Sequence, residues 1–277
     1  MLVMSISRVN LQKKFLSKRI IKVVTGLSNL NINNILNKVK AAEITGATYV
    51  DIAANPELVS LMKSVVSVPI CVSSINPRDL YQCILAGADI VEIGNFDVFY
   101  PKNIILSTKQ IIKIVKEITV LLKDTNICVT IPHYLLLEKQ KKLAEDLRNI
   151  GVNYIQTEGF GTKHNLLNQE NSLIFKDINR SSAALSSSYA LSSYINLPVI
   201  SASGINNLSA PIAISYGAYG IAIGSVLNNL SSICEISNYI LEIIVSITYH
   251  DNYRLSKTNL KKQKLKSLIF NAQVSMH

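Results

Sequence analysis

The sequence predicts a single (β/α)8 barrel, and three observations carry that prediction. The chain has 277 residues, and one barrel of this kind occupies about 250. Short β-branched runs alternate with helical patterns, which calls for a parallel sheet. Eight such units follow one another along the chain, and eight is the number that closes into a barrel.

The predicted strands are 20–25, 49–53, 69–73, 90–94, 127–131, 154–158, 199–203 and 220–224. Helix starts are marked twice by an asparagine followed by proline, at Asn55-Pro56-Glu57 and Asn76-Pro77-Arg78. The asparagine caps the first turn, and proline loses nothing there because its missing N–H would have no partner. Gly46, Gly87, Gly151 and Gly217 end helical patterns just before a strand, as C-terminal caps do. Two connections are long: 95–103 after the fourth strand, and 159 to about 182 after the sixth. Both fall on the C-terminal face, where barrels build their sites. The predicted organisation is a lead-in over 1–19, a barrel over 20–250 and a basic tail over 251–277.

Composition excludes several classes. Apolar residues form 48% of the chain, too many for a disordered protein. No apolar run reaches the length of a membrane span; the longest candidate, 233–248, is broken by Glu235, Ser237, Asn238, Glu242 and Ser246. The net charge of +10 gathers at the two ends. No aromatic residues interleave with the tail lysines, so the pattern argues against a nucleic-acid partner. Abundant Lys, Asn and Ile match an AT-rich coding genome. Cys71, Cys83, Cys128 and Cys234 form no C-x-x-C pair and stand at no zinc spacing. They read as reduced thiols, and no metal is predicted. The lead-in lacks acids and has the composition of a transit peptide. Leu11, Phe15 and Leu16 instead suit a short helix closing the barrel bottom.

Alternation sorts each strand into two faces. One face is aliphatic and includes Ile21, Val23, Val50, Ile52, Ile200 and Ala202. The other carries Lys22, Asp51, Cys71, Ser73, Glu92, Cys128, Thr130, Gln156, Glu158, Ser201 and Ser203. That polar face is predicted to point into the barrel. Buried charges need partners, so Lys22 is expected to pair with Asp51, Glu92 or both. Two outcomes stay open. A desolvated Lys22 is a Schiff-base nucleophile; a lysine clamped by carboxylates keeps its proton and fixes strand register. Glu158 ends its strand beside the longest loop, and His133 follows the fifth strand, so both are candidate acid–base groups.

The seventh and eighth strands end in small-residue corners, Ser203-Gly204-Ile205 and Gly224-Ser225-Val226. Barrels commonly hold phosphate between these two loops. The glycines are expected to admit the ligand, and the N–H groups of Ile205, Ser225 and Val226 to donate to it.

Certain runs carry a resemblance: Lys22 to Leu27, Ala47 to Ala54, Pro69 to Ser73, Glu92 to Asp97, Val129 to His133, Ile155 to Gly159, and the Ala202-Ser203-Gly204 and Gly224-Ser225 turns. With them the chain resembles an uncharacterised barrel family encoded in algal chloroplast genomes and found in cyanobacteria. The resemblance implies a TIM barrel, made within the plastid and residing in its stroma, and supplies no activity. Three functions remain open: an enzyme on a small phosphorylated metabolite, such as a lyase, aldolase or isomerase; an FMN-dependent oxidoreductase; or a non-catalytic ligand-sensing or partner-binding barrel. Oligomeric state leaves no mark on the sequence.

Overall fold

A computed structural model describes residues 19–26, 28–94, 96, 99–159 and 173–248. The expectations for the lead-in before residue 19, the basic tail, Asn95, Asp97 and residues 160–172 lie outside the described residues.

The strands are β1 Ile20–Val24, β2 Tyr49–Ala53, β3 Ile70–Ser73, β4 Ile90–Ile93, β5 Asn126–Ile131, β6 Tyr154–Thr157, β7 Val199–Ser201 and β8 Gly220–Ile223. Each pairs in parallel with the next, and β8 returns to β1 to close the barrel. Between them run α1 Ile32–Ile44, α2 Pro56–Val65, α3 Pro77–Leu85, α4 Thr108–Leu121, α5 Leu137–Ile150, α6 Leu173–Tyr194 and α7 Ser209–Ser215. A last helix, α8, covers 233–248. The predicted caps form: Asn55 accepts from the Leu58 N–H and Asn76 from the Arg78 N–H. No helix is long and apolar enough to cross a membrane among the described residues.

Two apolar layers hold the fold. The outer layer lies between strands and helices and includes Ile21, Val23, Val50, Ile52, Val91, Ile93, Val129 and Ile155. The inner layer plugs the barrel with Ile20, Tyr49, Cys71, Ile90, Cys128, Tyr154, Ile200, Ala202 and Ala222. Alternation along each strand separates the two, as the sequence reading expects for seven strands.

β7 is the exception. Ile200 and Ala202 join the inner plug, and Val199 faces the helices. Ser201 faces α6, where its hydroxyl meets that of Ser188 at 2.9 Å. The expected facing of Ser201 is therefore inverted. The reason is local: α6 offers a buried serine, so a hydroxyl on the helix side is satisfied while two aliphatic side chains fill the barrel. The sixth loop is also shorter than expected, because α6 begins at Leu173. Its Ser181 and Ser188 are buried; they pack within the helix instead of marking a loop.

Candidate active site

The floor of the site is an ion network inside the barrel. Lys22 Nζ lies 2.6 Å from Glu92 Oε2, 2.8 Å from Asp51 Oδ2 and 2.9 Å from Gln156 Oε1. Gln156 Nε2 donates to Glu92 Oε1 at 2.7 Å, and the Thr130 hydroxyl donates to the same oxygen at 3.0 Å. The Ser73 hydroxyl contacts both Asp51 oxygens, at 2.8 and 2.9 Å. Six strands, β1 to β6, thus contribute to one polar layer above the apolar plug.

Electrostatics decide what the floor can do. Burial by itself would strip the proton from Lys22, but Asp51 and Glu92 outweigh it and hold its pKa well above the ordinary lysine value. Two carboxylates share one ammonium. Burial, tempered by Lys22 and reinforced by the Glu92 charge, pushes the Asp51 carboxyl up to about 6. Lys22 is 0% exposed, so the Schiff-base outcome does not fit: the amine is protonated, clamped and out of reach. Asp51, Cys71 and Glu92 also bring metal-ligating atoms within 4.8 Å of one another. The Lys22 ammonium stands between the two carboxylates of that group, and burial pushes the Cys71 thiol up, away from its ligating thiolate form.

Glu158 lies just past β6 and organises a second group. Its Oε2 accepts from the Tyr100 hydroxyl at 2.7 Å and the His133 main-chain N–H at 3.0 Å, and it contacts His133 Nδ1 at 2.8 Å. A carboxylate only accepts, so Nδ1 carries a proton, and in the neutral ring Nε2 is then the accepting nitrogen. Glu158 Oε1 is buried with no hydrogen-bond partner among the described residues. Tyr100 packs edge-on against His133 and Tyr134, with ring centroids at 5.3 and 5.8 Å. The Tyr134 hydroxyl donates to the Leu106 carbonyl, which fixes the fourth and fifth loops to each other.

Sequence reasoning paired neither Glu158 with His133 nor either with Tyr100. Tyr100 opens a 3-10 turn, Tyr100–Lys102, inside the long fourth connection. The available signal was that loop's place on the C-terminal face.

The two corners after β7 and β8 lie side by side, and their glycines serve a different purpose from the one expected. The ladder pairs Ile200 with Gly220 and Ser201 with Ile221, so its continuation sets the Gly204 corner beside the Gly224 corner. Gly204 has φ +70°, and a Cβ there would lie 2.5 Å from the Arg180 carbonyl oxygen of α6. A Cβ on Gly224 would lie 3.1 Å from Val24 Cβ. The missing side chains therefore make room for protein packing, not for a ligand. Ser203, at φ +79°, also leaves the strand path. Ile205 is buried beneath the corner. The N–H groups of Gly204, Ile205, Ser225 and Val226 find no partner among the described residues. The last two open the short turn Ser225–Asn229, where such donors face outward.

Comparisons with known proteins add the following. The family model described as "Protein of unknown function (DUF561)" matches residues 6–253. The chain is similar to the uncharacterized protein ycf23 of Antithamnion sp., 46% identical over 97% of this chain and 98% of the relative. It is 38% identical to ycf23 of Cyanophora paradoxa, over 84% and 94%. Among solved structures it is similar to QR15, an aldolase, with TM-score 0.58, 20% identity, and 82% and 97% coverage. It is also similar to (S)-3-O-geranylgeranylglyceryl phosphate synthase from Thermoplasma acidophilum in complex with sn-glycerol-1-phosphate, with TM-score 0.57, 12% identity, and 88% and 99% coverage. At these identities the structural likeness concerns the fold.

Proposed function

The chain belongs to the DUF561 family, and from that premise we infer that it binds a small phosphorylated metabolite and moves a proton on it, as an isomerase or lyase does. The phosphate sits at the rim of Gly204, Ile205, Ser225 and Val226. His133 acts as base through Nε2, with Glu158 orienting the ring and Tyr100 holding Glu158. Lys22, Asp51 and Glu92 form the floor and position the strands.

The observation that carries this reading is Glu158. A carboxylate at 5% exposure, held on one oxygen and without a partner on the other among the described residues, leaves an acceptor for a ligand hydroxyl or amide. The phosphate half draws support from the synthase neighbour, which holds sn-glycerol-1-phosphate. The relatives are ycf23 proteins of algal plastid genomes; we place this chain in the plastid stroma.

Native mass spectrometry of protein purified from its organelle is the test. A co-purifying phosphate ester is expected. Solvent deuterium enters that ester with the parent protein, and His133→Ala and Glu158→Gln each slow the exchange by about 10²- to 10⁴-fold. A bound flavin instead of an ester, or exchange untouched by both substitutions, overturns the reading.

A further inference from the structure

A second buried lysine, on α1, takes no part in the site described above. Lys38 is 1% exposed. Its ammonium donates to Asn228 Oδ1 at 2.9 Å and, weakly, to the Thr25 carbonyl at 3.4 Å. No carboxylate pairs with it among the described residues. Burial, with no opposing charge, pulls its pKa down. Such a cation is destabilising unless an anion answers it.

Tethering alone does not account for the charge. Asn37, the preceding residue, ties the same helix to the segment after β8 by donating to the Ser231 carbonyl at 3.1 Å. Neutral amides therefore serve that purpose here. What distinguishes Lys38 is where its partners lie. Thr25 directly follows β1, and Asn228 belongs to the Ser225–Asn229 turn that begins at the Gly224 corner. The ammonium thus contacts the turn whose leading N–H groups, on Ser225 and Val226, have no partner among the described residues. One five-residue segment thus opens with the Ser225 and Val226 N–H groups and receives, at Asn228, the hydrogen bond of a cation that no carboxylate pairs among the described residues.

We propose that Lys38 is the charge behind the anion rim: it supplies, through the Ser225–Asn229 turn, the positive potential that holds the phosphate of a phosphorylated ligand. This rests on the phosphate reading above and adds to it a residue from the first βα unit.

The test is calorimetric titration of the full chain with inorganic phosphate, paired with thermal melts in phosphate-free buffer. Lys38→Gln keeps an amide for Asn228 and removes only the charge. It is expected to weaken phosphate binding by about tenfold or more, to leave the melting temperature unchanged or higher, and to lose the shift that phosphate gives the parent. Lys38→Arg is expected to retain binding. Parent-like affinity in Lys38→Gln, or a lowered melting temperature with affinity unchanged, assigns Lys38 a tethering role and overturns the proposal while sparing the rim. No phosphate binding by the parent overturns both. Should Lys38→Gln fail to fold, phosphate binding by Lys38→Met decides by the same criterion.

Discussion

Lys22 and Lys38 lie on consecutive elements, at 0% and 1% exposure, yet their surroundings differ in kind. Lys22 has two carboxylates within 2.8 Å and an amide at 2.9 Å. Lys38 has one amide and a distant carbonyl. Burial opposes the charge on both. At Lys22 the carboxylates reverse that effect, and at Lys38 no charge among the described residues does. The first arrangement is complete within the protein and so reads as architecture. The second is incomplete, and incompleteness is what a binding residue offers its ligand.

The contrast is most exposed to failure in stability. Lys22→Met leaves Asp51 and Glu92 buried without their cation and is expected to cost about 3–5 kcal/mol by urea denaturation. Lys38→Met is expected within about 0.5 kcal/mol of the parent or above it, since relief of a buried charge offsets the lost hydrogen bond to Asn228. Equal losses from both would erase the distinction.

A smaller effect sharpens it through pH. In the unfolded chain Asp51 releases its proton near the usual aspartate value, whereas the folded protein holds it to about 6. Between those values the folded state binds more protons, so stability falls as pH rises from about 4 to 6, by up to about 3 kcal/mol. Asp51→Asn is expected to flatten that slope in a pH series of melts. A slope of the opposite sign would mean that Lys22 serves Asp51 fully and that the network has no surplus charge.

The smallest effect sets the neutral scale. Ser201→Ala breaks the hydrogen bond to Ser188 and is expected to cost about 1 kcal/mol, coupled to Ser188→Ala in a double-mutant cycle. No coupling would return Ser201 to the barrel interior.

Much of this molecule is legible in its sequence, and its failures share a cause. Parity separates interior from exterior on the strands where charge and aliphatic surface cannot exchange places: no helix layer offers a partner for Lys22, Asp51 or Glu92. On β7 the sorting rests on serine alone. A hydroxyl is at home on either side once a neighbour such as Ser188 satisfies it, so the period-2 pattern loses its sign there. The site was half visible. Glu158 and His133 stand at strand ends, where alternation and loop length locate them. Tyr100 comes from a turn whose course no periodicity encodes, and Lys38 sits on a helix where a lysine ordinarily reaches water. The glycines at 204 and 224 stand at strand-end corners, but the sequence does not reveal that Arg180 and Val24 fill the space they leave.

The plug beneath the ion network has a chemical corollary. Cys71 and Cys128 are interior residues of that plug, and Cys83 is buried on the inner face of α3. Burial pushes the first two thiols well up and Cys83 to about 11. Oxidants and alkylating agents attack thiolates, and these sulfurs scarcely form them at neutral pH. Among the four thiols only Cys234 is exposed, so peroxide or an alkylating agent in solution is expected to react there first.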